Sequence, residues 1–281
     1  MAGEGFFDAE SPGMAAPARI LLERHEVDGI ETFQIVRRFG FHDPGFEQPF
    51  IVPADIETFR SDLTSVPVLF TWLVPRTGNH LPAALLHDGL VYTPDEPASY
   101  IGPAVTREQA DGIFRNAMAD LGTGWVRRWL VWTAVILATA LTELRPRWRW
   151  VPVIVGTLVA VSILGVLATI DLLDVCTVLP WMGERGFWRE VAGGTVSALA
   201  IPLVLSLLWG RLFKAGIIAC VALAFLLHVT VVLALLSGVY QFVESPRTAL
   251  ATIRKYVTPA VLAGIVAYGG VIGLILWWRC P

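Results

Sequence analysis

The chain has 281 residues, of which 55% are hydrophobic and 16% charged, with a mean hydropathy of +0.61. That balance is too apolar for an ordinary soluble protein and puts the membrane class first. A formal net charge of −3, with no basic run and no basic–aromatic interleaving, excludes a nucleic-acid partner.

The first residues, MAGEGFFDAESPGMAAPARI, lack a charged stretch followed by an apolar one and are not a secretory signal. Residues 1–17 are expected to be a flexible tail. The cysteines are Cys176, Cys220 and Cys280. The first 175 residues therefore carry no disulfide, which suits a reducing compartment.

Residues 18–127 mix charge, Pro, Gly and short apolar runs, as a small soluble α+β domain does. FQIVRRF (33–39) and EQPFIV (47–52) read as strands around a turn at His42-Asp43-Pro44-Gly45. SDLTSVP (61–67) reads as a loop, and residues 81–91 as a short helix. Thr106-Arg-Glu-Gln109 has the form of a capping box. It opens a helix over about 107–121 with an apolar stripe at Ala110, Ile113, Phe114, Ala117, Met118 and Leu121.

The apolar stretch from Trp129 to Leu141 is short for a span. An interfacial or linker helix over 128–145 is expected, lying on a membrane or on the soluble domain. Residues 146–281 are expected to form an α-helical transmembrane bundle with spans at about 150–170, 191–210, 216–238 and 257–278. Arg145, Arg147, Arg149, Arg211, Lys214 and Arg279 then fall on one side, which predicts a multi-pass protein of a bacterial plasma membrane with a cytoplasmic soluble domain. Close-packing pairs such as Gly269 and Gly273 make the bundle a candidate for homo-oligomer contacts. His228, inside an apolar stretch, is expected to hydrogen-bond between helices.

The chemistry concentrates in PAALLHDGLVY (82–92). His87 follows an apolar run that must face a core. Asp111 borders the apolar stripe of its own helix, where a carboxylate is costly unless paired. Two short helices packed together bring the two into contact, and a carboxylate that orients an imidazole leaves its other nitrogen free to take a proton from water. Asp88 points about 100° away from His87, which makes Asp62 in the SDLTS loop its candidate partner. Two carboxylates with loop carbonyls form a hard oxygen site of the kind Ca²⁺ prefers, and such an ion polarises an ester carbonyl. In the bland alternative Asp62 makes an Asx turn, Asp111 is solvated, and His87-Asp88 closes a helix.

These residues also carry a resemblance. Ser61, Asp62, Ser65 and Pro67, then Ala83, His87 and Asp88, then Arg107, Ala110, Asp111 and Phe114 resemble the pattern of a small phage and bacterial domain of unknown function. The likeness covers roughly residues 30 to 130. The same order resembles the secreted phospholipase A2 enzymes of bacteria and fungi. That resemblance implies His87 as general base, Asp111 as its orienting partner, and Asp62, Asp88 and a carbonyl near Leu63 as Ca²⁺ ligands. Two features depart from those enzymes: the domain has no cysteine, and Tyr92 follows His87 by five residues where four are usual.

The leading expectation is a membrane-anchored, calcium-dependent phospholipase or esterase whose partner is membrane phospholipid. The competing expectation is a non-catalytic structural or interaction module of a membrane or phage-related complex. A His-Asp metal phosphohydrolase would want more histidine ligands than this half supplies.

Overall fold

The computed structural model describes residues 5–12, 16–27, 30–63, 78–91, 97–182, 186–246 and 259–279. The chain forms two units, Met1–Glu143 and Leu144–Pro281.

Unit 1 is a strand-containing region followed by helices. β1 (Phe6–Asp8), β4 (Phe39–Phe41) and β5 (Phe50–Val52) form an antiparallel sheet in the order β1-β4-β5, with Phe6 opposite Phe41 and Phe39 opposite Val52. β2 (Leu22–Val27) and β3 (Ile30–Ile35) form a separate antiparallel pair. Aromatic residues suit this pleated, half-covered surface. Phe6, Phe39, Phe41, Phe50 and Val52 are buried with Leu85, Leu86, Ile113, Phe114 and Met118 in one core. Each fully buried side chain of this size contributes about 1.5–3 kcal/mol.

The sheet corrects two expectations. The supposed flexible tail supplies β1, held by its pairing with β4 and by the Asp8–Arg37 ion pair at 2.8 Å. FQIVRRF is not one strand: β3 ends at Ile35 and β4 starts at Phe39. The break falls where Arg37 turns to Asp8, and Arg38 donates to the carbonyls of Pro53 and Ala54.

Three helices complete the unit. α1 (Leu81–Leu90) has a proline in its first turn, where no intrahelical N–H bond is lost. It packs on β5 through Gly89, where a Cβ would lie 2.6 Å from Val52 Cγ1. α2 (Arg107–Asp120) opens with the full capping box of Thr106 and Gln109 and buries Ala110, Asp111, Ile113, Phe114, Ala117 and Met118. α3 (Trp125–Thr142) packs on α2 and buries Val131, Thr133, Ile136, Thr139 and Ala140. Its inner face thus belongs to the core of unit 1, so this unit runs past the boundary expected at residue 127.

Unit 2 is helical: α4 (Arg147–Leu172), α5 (Phe187–Ser206), a 3₁₀ segment (Leu207–Leu212), α6 (Phe213–Glu244) and α7 (Pro259–Arg279). Among the described residues, two helical stretches are long and apolar enough to cross a membrane, Arg147–Leu172 and Phe187–Glu244. The second is broken at Gly210, whose φ of 52° and ψ of −116° leave the helical region. α5 and α6 pack on each other and on α4. His228 shares a 2.6 Å hydrogen bond with Thr169 of α4. Asp171 accepts from the backbone N–H groups of Val178 and Leu179 and closes the end of α4. Cys220 is buried and free, whereas Cys176 is disulfide-bonded.

Candidate active site around His87 and Asp111

α1 and α2 pack against each other and bring together His87 and Asp111. His87 Nε2 lies 2.8 Å from Asp111 Oδ1, and the Asp111 side chain is fully buried. With Nε2 engaged, Nδ1 is the ring nitrogen left for other chemistry. The His87 ring packs on Phe114, centroids 4.9 Å apart, which limits its rotation.

The second oxygen of Asp111 is also taken: Thr139 Oγ1 donates to Oδ2 at 2.8 Å. A buried carboxylate needs such partners for both oxygens. Arg107 Nε stands 3.9 Å from Oδ1, one helical turn before Asp111. Sequence reasoning placed neither Thr139 nor Arg107 in the site. The signal for Thr139 is a hydroxyl inside a largely apolar run, shared with Thr133. Arg107 belongs to the motif, but its sequence position alone gives it no role.

Asp88 is positioned by different elements. A bridge between Phe33 and Ser61, with N–H···O distances of 2.7 and 2.9 Å, fixes the start of the SDL loop to β3. Ser61 Oγ then donates to Asp88 Oδ2 at 2.5 Å and accepts from the Leu63 N–H at 2.9 Å. The hydrogen-bond partner of Asp88 is thus Ser61. Asp62 acts on Asp88 through charge. Enclosure by protein, reinforced by the Asp62 carboxylate and opposed by Ser61 and Arg107, pushes the Asp88 carboxyl up to about 7.

Leu63 holds a left-handed φ of 69° and is buried. For a residue with a Cβ this conformation costs roughly 1–2 kcal/mol. Strain of this kind clusters at sites that need a backbone group aimed in a set direction. Among the described residues, no group of three or more His, Cys, Asp or Glu side chains is placed to hold a metal. The motif residues Ser65, Pro67 and Tyr92 lie outside the described residues.

The arrangement is an α+β domain with a buried imidazole–carboxylate–hydroxyl chain beside an enclosed acid. Residues 33–135 of the chain match a family model described as "Protein of unknown function (DUF1353)". That span contains β4, β5, α1, α2, the SDL loop and the first part of α3. No curated protein and no solved structure matches the chain.

Proposed function

We propose that the chain is a membrane-anchored, calcium-dependent phospholipase or esterase that activates water with His87 and Asp111. The observation that carries this reading is the 2.8 Å bond between His87 Nε2 and the fully buried Asp111 carboxylate, itself fixed by Thr139. A carboxylate so held sets the imidazole tautomer, directs Nδ1 to a water molecule, and stabilises the imidazolium formed when that water gives up its proton. The hydroxide equivalent attacks the ester carbonyl carbon. His87 then returns its proton to the departing alcohol oxygen, so no covalent acyl intermediate is required.

The donor set fits a hard divalent cation. Two carboxylates, Asp88 and Asp62, raise each other's affinity for positive charge. Asp62, Asp88 and the Leu63 carbonyl would hold Ca²⁺, which when bound polarises the ester carbonyl. The apolar helices of unit 2 give the anchor: a tether raises the effective concentration of a substrate that lies in the bilayer. In this reading the chain is multi-pass in a bacterial plasma membrane with unit 1 on the cytoplasmic side.

One observation favours a second reading. His87, Asp111 and Thr139 satisfy one another inside the core, which is also the form of a polar network that fixes a fold without catalysis. Hydrolysis of phosphatidylcholine vesicles separates the two. The enzyme gives calcium-dependent release of fatty acid that falls in Asp88→Asn and Asp62→Asn. A structural module gives none in any form.

A further inference from the structure

α3 presents two apolar faces, and unit 1 uses only one of them. No charged residue occurs between Arg128 and Glu143. The inner face packs in the core through Val131, with Trp132 and Val135 against it, and Thr139 reaches Asp111. The opposite face carries Leu130, Ala134, Leu137, Ala138 and Leu141, at the i, i+4, i+7 spacing of one helical stripe. Ala134 and Ala138 are exposed, and the three leucines are partly so. A helix that is apolar all round is normally covered all round.

The residues bordering this stripe indicate what covers it. Its amino-terminal end holds Val126, 60% exposed, and Arg127, which has no ion pair among the described residues. An exposed apolar residue next to an unpaired Arg suits a headgroup layer, where the guanidinium meets phosphate. The link to unit 2 is residues 143–146, at most roughly 14 Å of extended chain, and it leads directly into α4, one of the two stretches long and apolar enough to cross a membrane.

We propose that the outer stripe of α3 lies on the surface of an anionic lipid bilayer, with Leu130, Leu137 and Leu141 at the acyl boundary and Arg127 on headgroup phosphate. This docking surface does not depend on the hydrolase reading. It would hold equally for a non-catalytic module. It adds a consequence, because the inner face of the same helix supplies Thr139 to Asp111.

The test uses the full chain in vesicles of phosphatidylcholine with and without phosphatidylglycerol. Spin labels are placed at Ala134→Cys and Ala138→Cys, exposed positions outside the core, and at Glu57→Cys as an aqueous reference; the native Cys220 is buried. Relaxation by oxygen and by a water-soluble nickel chelate then gives the depth of each label. The proposal predicts that both α3 labels favour oxygen at a similar shallow depth, about 5–10 Å below the headgroup boundary. Glu57→Cys should favour nickel. Replacing Arg127 with Glu should abolish the preference for vesicles containing phosphatidylglycerol. Four results would overturn it: both labels open to water; depths that progress toward the bilayer centre, as in a span; labels shielded from both reagents, meaning that unit 2 or a second copy covers the stripe; or immersion indifferent to lipid charge and to Arg127.

Discussion

Thr139 and His87 grip the two oxygens of one buried carboxylate: Thr139 Oγ1 donates to Asp111 Oδ2 and His87 Nε2 meets Oδ1, each at 2.8 Å. The hydroxyl comes from α3 and the imidazole from α1, so Asp111 of α2 joins three helices through one side chain. Replacing Thr139 with Val keeps its shape and leaves Oδ2 buried without a donor. The expected cost is about 1–3 kcal/mol, read as a lower midpoint of thermal unfolding. Hydrolytic activity should fall as well, because Asp111 is freer to turn. Unchanged stability would mean that the Thr139 contact contributes nothing.

Asp88 links stability to pH. Its folded affinity for a proton is raised from the ordinary 3.8 to about 7 by enclosure in the protein. Between about pH 4 and pH 7 the folded state therefore keeps a proton that the unfolded chain has released. The contribution of Asp88 is full below pH 4, declines as pH rises to 7, and is level above that. Asp88→Asn should flatten this part of the profile and be more stable than the parent at pH 8. A parallel decline in both proteins would contradict the assignment.

Calcium should reverse that decline. An ion held by Asp88 and Asp62 competes with the Asp88 proton, so added Ca²⁺ should raise the melting temperature more at pH 8 than at pH 5. The effect should vanish in Asp88→Asn and shrink in Asp62→Asn. No calcium effect at pH 8 would remove the metal from the account.

Gly89 sets the distance between α1 and β5, with a Cβ there 2.6 Å from Val52 Cγ1. Gly89→Ala should destabilise unit 1 by about 1–3 kcal/mol through overpacking and shift the neighbouring His87 and Asp88. Adding Val52→Ala should recover part of the loss. No recovery in the double variant would place the cost elsewhere.

The parts of this structure legible in the sequence were those written in local chemistry. Thr106 and Gln109 announced α2, and the stripe from Ala110 to Met118 identified its buried face. His87 and Asp111 stood out because each occupied an apolar face where an unpaired polar group would be costly. What escaped notice depends on distant partners. β1 lies in a Gly- and Ala-rich segment whose order comes from Phe41 and Arg37, some thirty residues away. The break in FQIVRRF comes from the carbonyls of Pro53 and Ala54. Ser61 was visible as a motif residue, but its bond to Asp88 depends on a bridge to Phe33. α3 was legible as a helix packed on the soluble domain, but an apolar run does not reveal which of its sides is used.

The most direct test of the central claim is fatty acid release from phospholipid vesicles by the full chain, with Ca²⁺ or with a chelator, comparing the parent with His87→Ala and with His25→Ala as a control outside the site. The account predicts release that requires Ca²⁺, disappears in His87→Ala and persists in His25→Ala. Equal release by the parent and His87→Ala, or none from the parent at any calcium concentration, would contradict it.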